Sequence, residues 1–437
     1  RRLGVGYQES LADQQHFFMN GKLGDDMPLL TKLARDNQDE DFIKKIFAGV
    51  MEEQTEWLTT HPVDKDRVKA AKEEAEAGVF QLELPASCLF KNYKPICKAV
   101  TKDFFRAIFG NDLKANMLVP AAQLVAHKQA AKEAAEAMTR MFGNDFDTPR
   151  VLALRPSPRV PVEEAIQQLG AARQVMINAL PTYSELSKQL SEKDGRWITC
   201  HQVSSLVDLG AQLKPKDFDG LPVSSRPRMK KEAEKLQREL SLLSPQLDTL
   251  ELAFSKRVCY ASCLINAPQV VYQLGQEKAF ALSQQLPGVL NALNAVQECY
   301  GELVHIRNEF ASLSLTLQAI GSNEISGEIY AKITGGISSM FWKVSSFNDT
   351  LKVVPYPFEH AEGFMNLNKY MIPKMPGSDD IGGVMEATDK LLDNYHYVYF
   401  RCVGELSLIC QVVESALGWA PQPDPPKPKE PEEKKAR

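Results

Sequence analysis

The sequence predicts an all-α protein: an elongated antiparallel helical bundle of four long helices, with a smaller helical N-terminal subdomain and a disordered C-terminal tail. The main indication is the apolar spacing in the middle of the chain. Apolar residues recur there at alternating steps of four and three: Met229, Ala233, Leu236, Leu240, Leu243, Leu247, Leu250 and Phe254. This spacing places them along one face of a helix. Because such a face is not stable alone in water, it must be buried against other helices.

Similar spacing elsewhere gives four long helical stretches in all. They cover residues 162–192, 229–275, 279–320 and 381–418. Packed lengthwise, such helices are expected to cross at about +20°. Prolines at positions 245, 268 and 287 each remove a backbone donor, so we expect bends or short breaks at these points.

Shifts in composition predict the domain limits. Residues 1–142 contain shorter amphipathic segments and are predicted to form a subdomain of short helices. The prolines at 156, 158 and 161 are incompatible with a helix interior, so residues 143–161 are predicted to be a linker. Residues 162–420 form the long bundle, interrupted by an irregular proline-rich loop at 353–377. Residues 421–437, rich in Pro, Lys and Glu, are predicted to be disordered.

Composition argues against several classes of protein. The net charge is −5, so no overall positive field favours binding to nucleic acid. No apolar run reaches the roughly 20 residues of a membrane-spanning helix, and the first residues contain no apolar signal core. The eight cysteines lack zinc-binding spacing and are expected to be reduced, which favours a cytoplasmic protein.

Two motifs contain residue types that can bind a metal or catalyse a reaction. Glu302-Leu303-Val304-His305 matches the Glu-x-x-His pattern of di-iron bundles. Its Glu and His residues, however, fall beside the apolar face of the predicted helix and not on it. Glu359-His360-Ala361-Glu362 has the residue types of general acid–base catalysis, but no nucleophile motif or phosphate-binding loop accompanies it. The sequence therefore predicts a protein that is not an enzyme, with no catalytic residues, cofactor, metal or evident small-molecule substrate.

The first functional hypothesis is a non-enzymatic helical interaction or scaffold protein. Long amphipathic helix faces are sufficient for this function, and it requires no catalytic motif. On this hypothesis the chain binds partner proteins, or copies of itself, through those faces.

The alternative hypothesis is a protein that inserts an apolar segment into membranes when it assembles. Long paired helices with an apolar, glycine-containing insert at 335–342 resemble the general plan of α-helical pore-forming toxins over residues 162–418. The resemblance implies a closed bundle that exposes an apolar hairpin on assembly. The residues expected to touch a partner or a membrane are Phe341, Trp342, Tyr356, Phe358, Phe364, Tyr370 and Met371. Packing in the core at the end of the bundle is the other interpretation of these residues.

Overall fold

The computed structural model describes residues 1–52, 62–76, 84–144, 146, 150–155, 158–208, 218, 221–223, 226–320 and 327–424. Almost all regular structure in these ranges is α-helix. The described residues contain two β-strands, each only two residues long. The predicted all-α class is therefore confirmed. Of the predicted disordered tail, only residues 421–424 fall within the described ranges.

Spatial contacts between Cα atoms divide the chain into two compact units. Unit 1 comprises Arg1–Gln129 and Glu359–Gly363, and unit 2 comprises Ala130–Phe358 and Phe364–Arg437. The limits at residues 142 and 161 rest on composition alone and stay predictions about domains.

Unit 1 consists mainly of short helices. They are α1 (Arg2–Phe18), α2 (Met27–Asp36), α3 (Glu40–Glu52), α4 (Asp64–Glu74), α5 (Tyr93–Phe109) and the first residues of α6 (Ala121–Phe142). Strand β1 (Leu23–Gly24) pairs in parallel with β2 (Leu118–Val119). Asp26 caps α2, since its carboxylate accepts a hydrogen bond from the amide of Leu29 at 3.0 Å. The apolar core of the unit contains Leu23, Met27, Leu30, Phe105 and Ala121.

Helices α1 and α2 approach each other closely at Gly6. A Cβ atom placed on Gly6 would lie 2.8 Å from the carbonyl oxygen of Thr31 and 2.9 Å from the backbone nitrogen of Arg35. Both are backbone atoms, so no side-chain rotation can relieve the clash. The absence of a side chain at Gly6 therefore permits the observed distance between the two helices.

Unit 2 contains the long helices. They are α7 (Val162–Asp208), α8 (Arg226–Leu264), α9 (Pro268–Leu274), α10 (Gln276–Glu298), α11 (Tyr300–Ile320), α12 (Gly327–Leu351), α13 (Leu367–Met371) and α14 (Ile381–Ala416). The stretch 279–320, predicted as one helix, is two helices that meet at Cys299, and α12 is a further long helix. A bundle of four long helices is therefore not confirmed.

Prolines interrupt these helices at only one of the three expected positions. Helix α9 begins at Pro268, where the missing amide hydrogen has no intrahelical partner to lose. Pro245 and Pro287 lie inside α8 and α10, which continue past them. Leu247 and Val289, just beyond these two prolines, are completely buried. Their burial offsets part of the cost of about 3 kcal/mol that a proline imposes inside a helix.

Helices α7 and α8 form an antiparallel pair. Arg196 of α7 forms an ion pair with Glu232 of α8 at 3.5 Å. Nearer the start of α7, Met176 lies 3.6 Å from a guanidinium nitrogen of Arg257, which is near the end of α8. The start of α7 thus lies beside the end of α8, and the end of α7 beside the start of α8, so the two helices run in opposite directions.

A buried ion pair joins α8 to α14. Arg257 is 0% exposed. Its Nε and Nη2 atoms donate hydrogen bonds to the two carboxylate oxygens of Glu414 at 2.5 and 2.7 Å, and its Nη1 atom donates one to Gln422 at 2.9 Å. The segment after α14 therefore returns over the core of unit 2 and completes the hydrogen bonding of a buried charge.

Candidate interaction surface

Four of the seven predicted contact residues lie in the core of unit 2. They are Tyr356, Phe358, Tyr370 and Met371. The rings of Tyr356 and Tyr370 stack at 4.2 Å, and the guanidinium of Arg401 lies 3.8 Å above the ring of Phe358. Burial raises the pKa of both tyrosine hydroxyls far above the usual range. In this structure the proline-rich loop thus contributes an aromatic cluster around Arg401 to the core.

The other three predicted contact residues differ from one another. Phe341 is partly buried against the core, with its ring 5.4 Å from that of Trp342. Trp342 is 68% exposed and Phe364 is 82% exposed. Because four of the seven residues are buried, the set does not form one continuous exposed surface in this structure.

The Glu359–Glu362 segment belongs to unit 1 and is held there by ion pairs. The carboxylate of Glu359 lies 2.8 Å from the ammonium of Lys22 and 3.4 Å from Nε2 of His127. Glu362 pairs with Lys114 at 3.2 Å. Burial lowers the pKa of His360, outweighing the opposing effect of Glu362. This arrangement fits a segment clamped to unit 1, because both carboxylates already have cationic partners.

The residues of the Glu-x-x-His pattern do not assemble with further ligands. Among the described residues, no group of three or more His, Cys, Asp or Glu side chains is placed to hold a metal ion. Leu303, inside the pattern, lines a small cavity of about 20 Å³ together with Arg150, Tyr300 and His396. A space of that size suits a single water molecule.

A continuous apolar surface is exposed along α5 and the turn before it. We define the α5 face as Leu89, Phe90, Tyr93, Ile96 and Val100. Leu89 is 75% exposed and Val100 is 57% exposed, and the other three are also exposed. Helix α5 buries only a narrow seam formed by Cys97, Thr101 and Phe105. The α5 face thus lies outside the core of unit 1, and a contiguous exposed apolar patch is typical of an interaction site.

Basic side chains run along the same helix. We define the basic ridge as Lys94, Lys98, Lys102 and Arg106, which are four residues apart and all exposed. Lys98 pairs with Asp25 at 2.5 Å, and hydrogen bonding to Asp25 raises the pKa of Lys98. Arg106 pairs with Asp103 at 3.4 Å. At about 100° per residue, these four residues spread over roughly 120° of the helix circumference, on the side away from Tyr93, Ile96 and Val100.

The sequence contains a signal for this surface, although none of the seven contact residues predicted from the sequence lies on it. Leu89, Tyr93, Ile96 and Val100 follow one another at steps of four, three and four, and the ridge repeats every four residues. Periodicity alone predicts an amphipathic helix there. It does not show which face is buried, because the buried seam of α5 carries Cys97 and Thr101 rather than large apolar residues.

Comparison of the chain with protein-family models, with curated proteins and with solved structures gave no match. Within the described ranges, no helix combines the length and the apolar character needed to cross a membrane. The α5 face and the basic ridge are therefore interpreted from their own geometry.

Proposed function

We propose that this protein is a helical interaction protein and that the α5 face is a docking site for a partner. The observation that carries the proposal is the exposure of five large apolar residues, three on one side of α5 and two in the turn before it. Scattered exposed apolar residues are normal on a protein surface, whereas a continuous patch costs solvation free energy until it is covered.

The spacing of the α5 face fits a helical partner. Tyr93, Ile96 and Val100 stand at i, i+3 and i+7, the positions at which one helix presents side chains to another. Helix α5 has 17 residues, which corresponds to a length of about 25 Å. A partner helix of similar length lying alongside would cover the whole face.

Site-specific photo-crosslinking in cells that express the chain tests this proposal. A photo-reactive amino acid at Ile96 and, separately, at Val100 should give the same covalent adduct. The adduct formed from position 96 should disappear when Val100 is replaced by Glu. Ile96 and Val100 are both exposed, so neither the photo-reactive substitutions nor Val100→Glu should lower the midpoint of thermal unfolding by more than about 2 °C.

Leu242 provides the matched control, because it is a large apolar residue on α8 that is 70% exposed. The same photo-reactive residue at position 242 should not give that adduct. Equal adducts from positions 96, 100 and 242, or none from positions 96 and 100, would contradict the proposal.

A further inference from the structure

We infer that unit 1 binds a free fatty-acid anion in an open groove to which α1, α2, α3 and α4 all contribute. The groove has a volume of about 750 Å³, which lies within the roughly 300–1,000 Å³ of most small-molecule sites. We call it the α3–α4 groove, after the two helices that supply most of its apolar lining. The inference concerns a different surface from the α5 face and does not depend on the proposed function.

The lining of the α3–α4 groove is largely apolar, although the groove is open to water. The apolar residues among its described lining are Leu3, Ile46, Phe47, Val50, Val68 and Ala71. Leu3, Phe47 and Val68 belong to three different helices, and each is more than half exposed. An alkyl chain lying in the groove would remove this apolar surface from water.

The charged residues of the same lining are mainly cationic. Four of the described lining residues are arginines and one, Asp64, is acidic; the arginines are Arg1, Arg2, Arg35 and Arg67. Asp64 lies 3.1 Å from Arg1 and 3.6 Å from Arg67, so two guanidinium groups share one carboxylate. The local charge therefore favours an anionic ligand.

The remaining two arginines do not remove this excess of positive charge. Arg35 pairs with Asp36 at 2.5 Å, on the same helix. Arg2 donates hydrogen bonds to neutral oxygens, the side-chain carbonyl of Gln38 at 3.4 Å and the backbone carbonyl of Arg35 at 3.2 Å. Even with Asp36 included, four cations face two carboxylates. Exposed ion pairs contribute little stability, so they can be exchanged for a ligand carboxylate at low cost.

The charged and apolar residues occupy different parts of the groove. Arg1 reaches Asp64 at the start of α4, and Arg2 reaches the end of α2, so the cations gather around the start of α1. Phe47 on α3 and Ala71, two turns into α4, belong to the apolar part. This arrangement fits a ligand with an anionic head and an alkyl tail, and a guanidinium can bind both oxygens of a carboxylate.

A free amphiphile fits the α3–α4 groove better than a bilayer or a partner helix does. A bilayer covers apolar side chains that protrude from a surface, whereas these side chains line a recess between helices. A helix about 10 Å across would fill this volume with less than about two turns. Such a short helical segment is not stable by itself.

Two amphiphiles with the same alkyl chain test the inference on the full chain. Dodecanoate has an anionic head and dodecyltrimethylammonium a cationic one, and both are used below the concentrations at which they form micelles. By isothermal titration calorimetry, we expect dodecanoate to bind at least about tenfold more tightly at low salt. The preference should shrink at high salt, because salt screens exposed charges.

Photo-labelling of the unaltered protein locates the site without any substitution. A dodecanoate that carries a diazirine at the end of its chain should label peptides of α3 and α4, and an excess of unlabelled dodecanoate should suppress this labelling. Peptides of α5 provide the internal control. They should remain unlabelled, although they contain exposed apolar residues such as Leu89 and Val100.

Two pairs of matched variants separate the tail from the head. Phe47→Ser should weaken dodecanoate binding about tenfold, whereas Leu89→Ser, at an exposed apolar position of the same unit, should leave it unchanged. Arg35→Gln with Arg67→Gln should remove the preference for dodecanoate. Arg106→Gln with Arg238→Gln, at exposed positions outside the groove, changes the net charge equally and should preserve it.

The other outcomes would each overturn the inference. Equal binding of the two amphiphiles would exclude an anionic ligand. Absence of dodecanoate binding, or equal labelling of α3, α4 and α5, would exclude the groove as its site. Sedimentation with vesicles containing phosphatidylserine that Phe47→Ser abolishes, without binding of free dodecanoate, would favour a bilayer. Crosslinking from positions 96 and 100 is a separate measurement, so failure here would leave the proposed function standing.

Discussion

At the scale of single residues, the charges buried in unit 2 are the least predictable feature of the chain. Arg257 and Glu251 both belong to α8, whose sequence shows an ordinary amphipathic pattern. Their burial depends on partners far away in the sequence: Glu414 for Arg257, and Arg150 for Glu251. Periodicity identifies the face of a helix but not the residues that oppose it, so these pairs follow only from tertiary structure.

Glu251 should make the stability of the protein depend on pH. Burial raises its pKa from 4.5 to about 7, against the opposing effect of Arg150. A carboxyl group whose pKa is higher in the folded chain binds its proton more tightly there than in the unfolded chain. Its contribution to the free energy of unfolding therefore falls as pH rises from 4.5 to about 7. Relative to Glu251→Gln, the wild-type free energy of unfolding should drop on the order of 1–3 kcal/mol over this window. Urea denaturation of both proteins at pH 5 and pH 8 measures the difference.

Asp248→Asn is the control for this experiment. It removes the other carboxylate that pairs with Arg150, but Asp248 is a largely exposed side chain. In this variant the free energy of unfolding should fall between pH 5 and pH 8 by as much as in the wild type. If the free energy of unfolding fell equally in the wild type and in Glu251→Gln, the burial of Glu251 would not be the cause.

At the scale of elements, apolar spacing predicted the existence of long helices better than their ends. Leu293 and Leu406, on two of the predicted stripes, are completely buried in α10 and α14. The break at Cys299 coincides with no proline, and the spacing of apolar residues continues across it. A helix end of this kind is decided by packing, since the local sequence remains compatible with helix on both sides.

Glycines in α1 provide a prediction at this scale. Gly6→Ala should destabilise unit 1 by about 1–3 kcal/mol, because the new methyl group meets the backbone of α2 and must separate the two helices. Gly4→Ala in the same helix is the control. A Cβ atom there meets nothing within 4 Å, so the higher helix propensity of alanine should stabilise α1 by up to about 1 kcal/mol.

Amide hydrogen exchange of α1 measures both effects. Exchange should become faster in the Gly6→Ala protein and slower, or unchanged, in the Gly4→Ala protein. Equal acceleration in the two variants would show that loss of glycine itself, and not the contact with α2, is responsible.

At the scale of the whole molecule, each of the two units has its own apolar core. The core of unit 1 is formed around Leu23, Met27 and Phe105, and the main core of unit 2 gathers residues from α7 to α14. No core cluster of described residues includes buried side chains from both units. Stability is therefore expected to be organised by unit.

Variants in one unit should consequently leave the other unchanged. Arg257→Met leaves the Glu414 carboxylate buried without its main partner, which typically costs about 3–5 kcal/mol. Hydrogen exchange detected by mass spectrometry should accelerate in peptides of unit 2 and stay the same in unit 1, and Gly6→Ala should give the reverse. Arg238→Met, at an exposed position of α8, is the control and should change neither unit. Acceleration throughout the chain by either destabilising variant would indicate a single cooperative structure.

The sequence by itself determined that the protein is helical and where most of its long amphipathic faces lie, because the spacing of apolar residues is a local property of the chain. Only the tertiary structure decided which faces are buried. It placed Tyr356, Phe358, Tyr370 and Met371 in the core and left the α5 face exposed. The physical reason is that burial depends on what packs opposite a side chain, and those opposing residues can be more than a hundred positions away, as Glu414 is from Arg257.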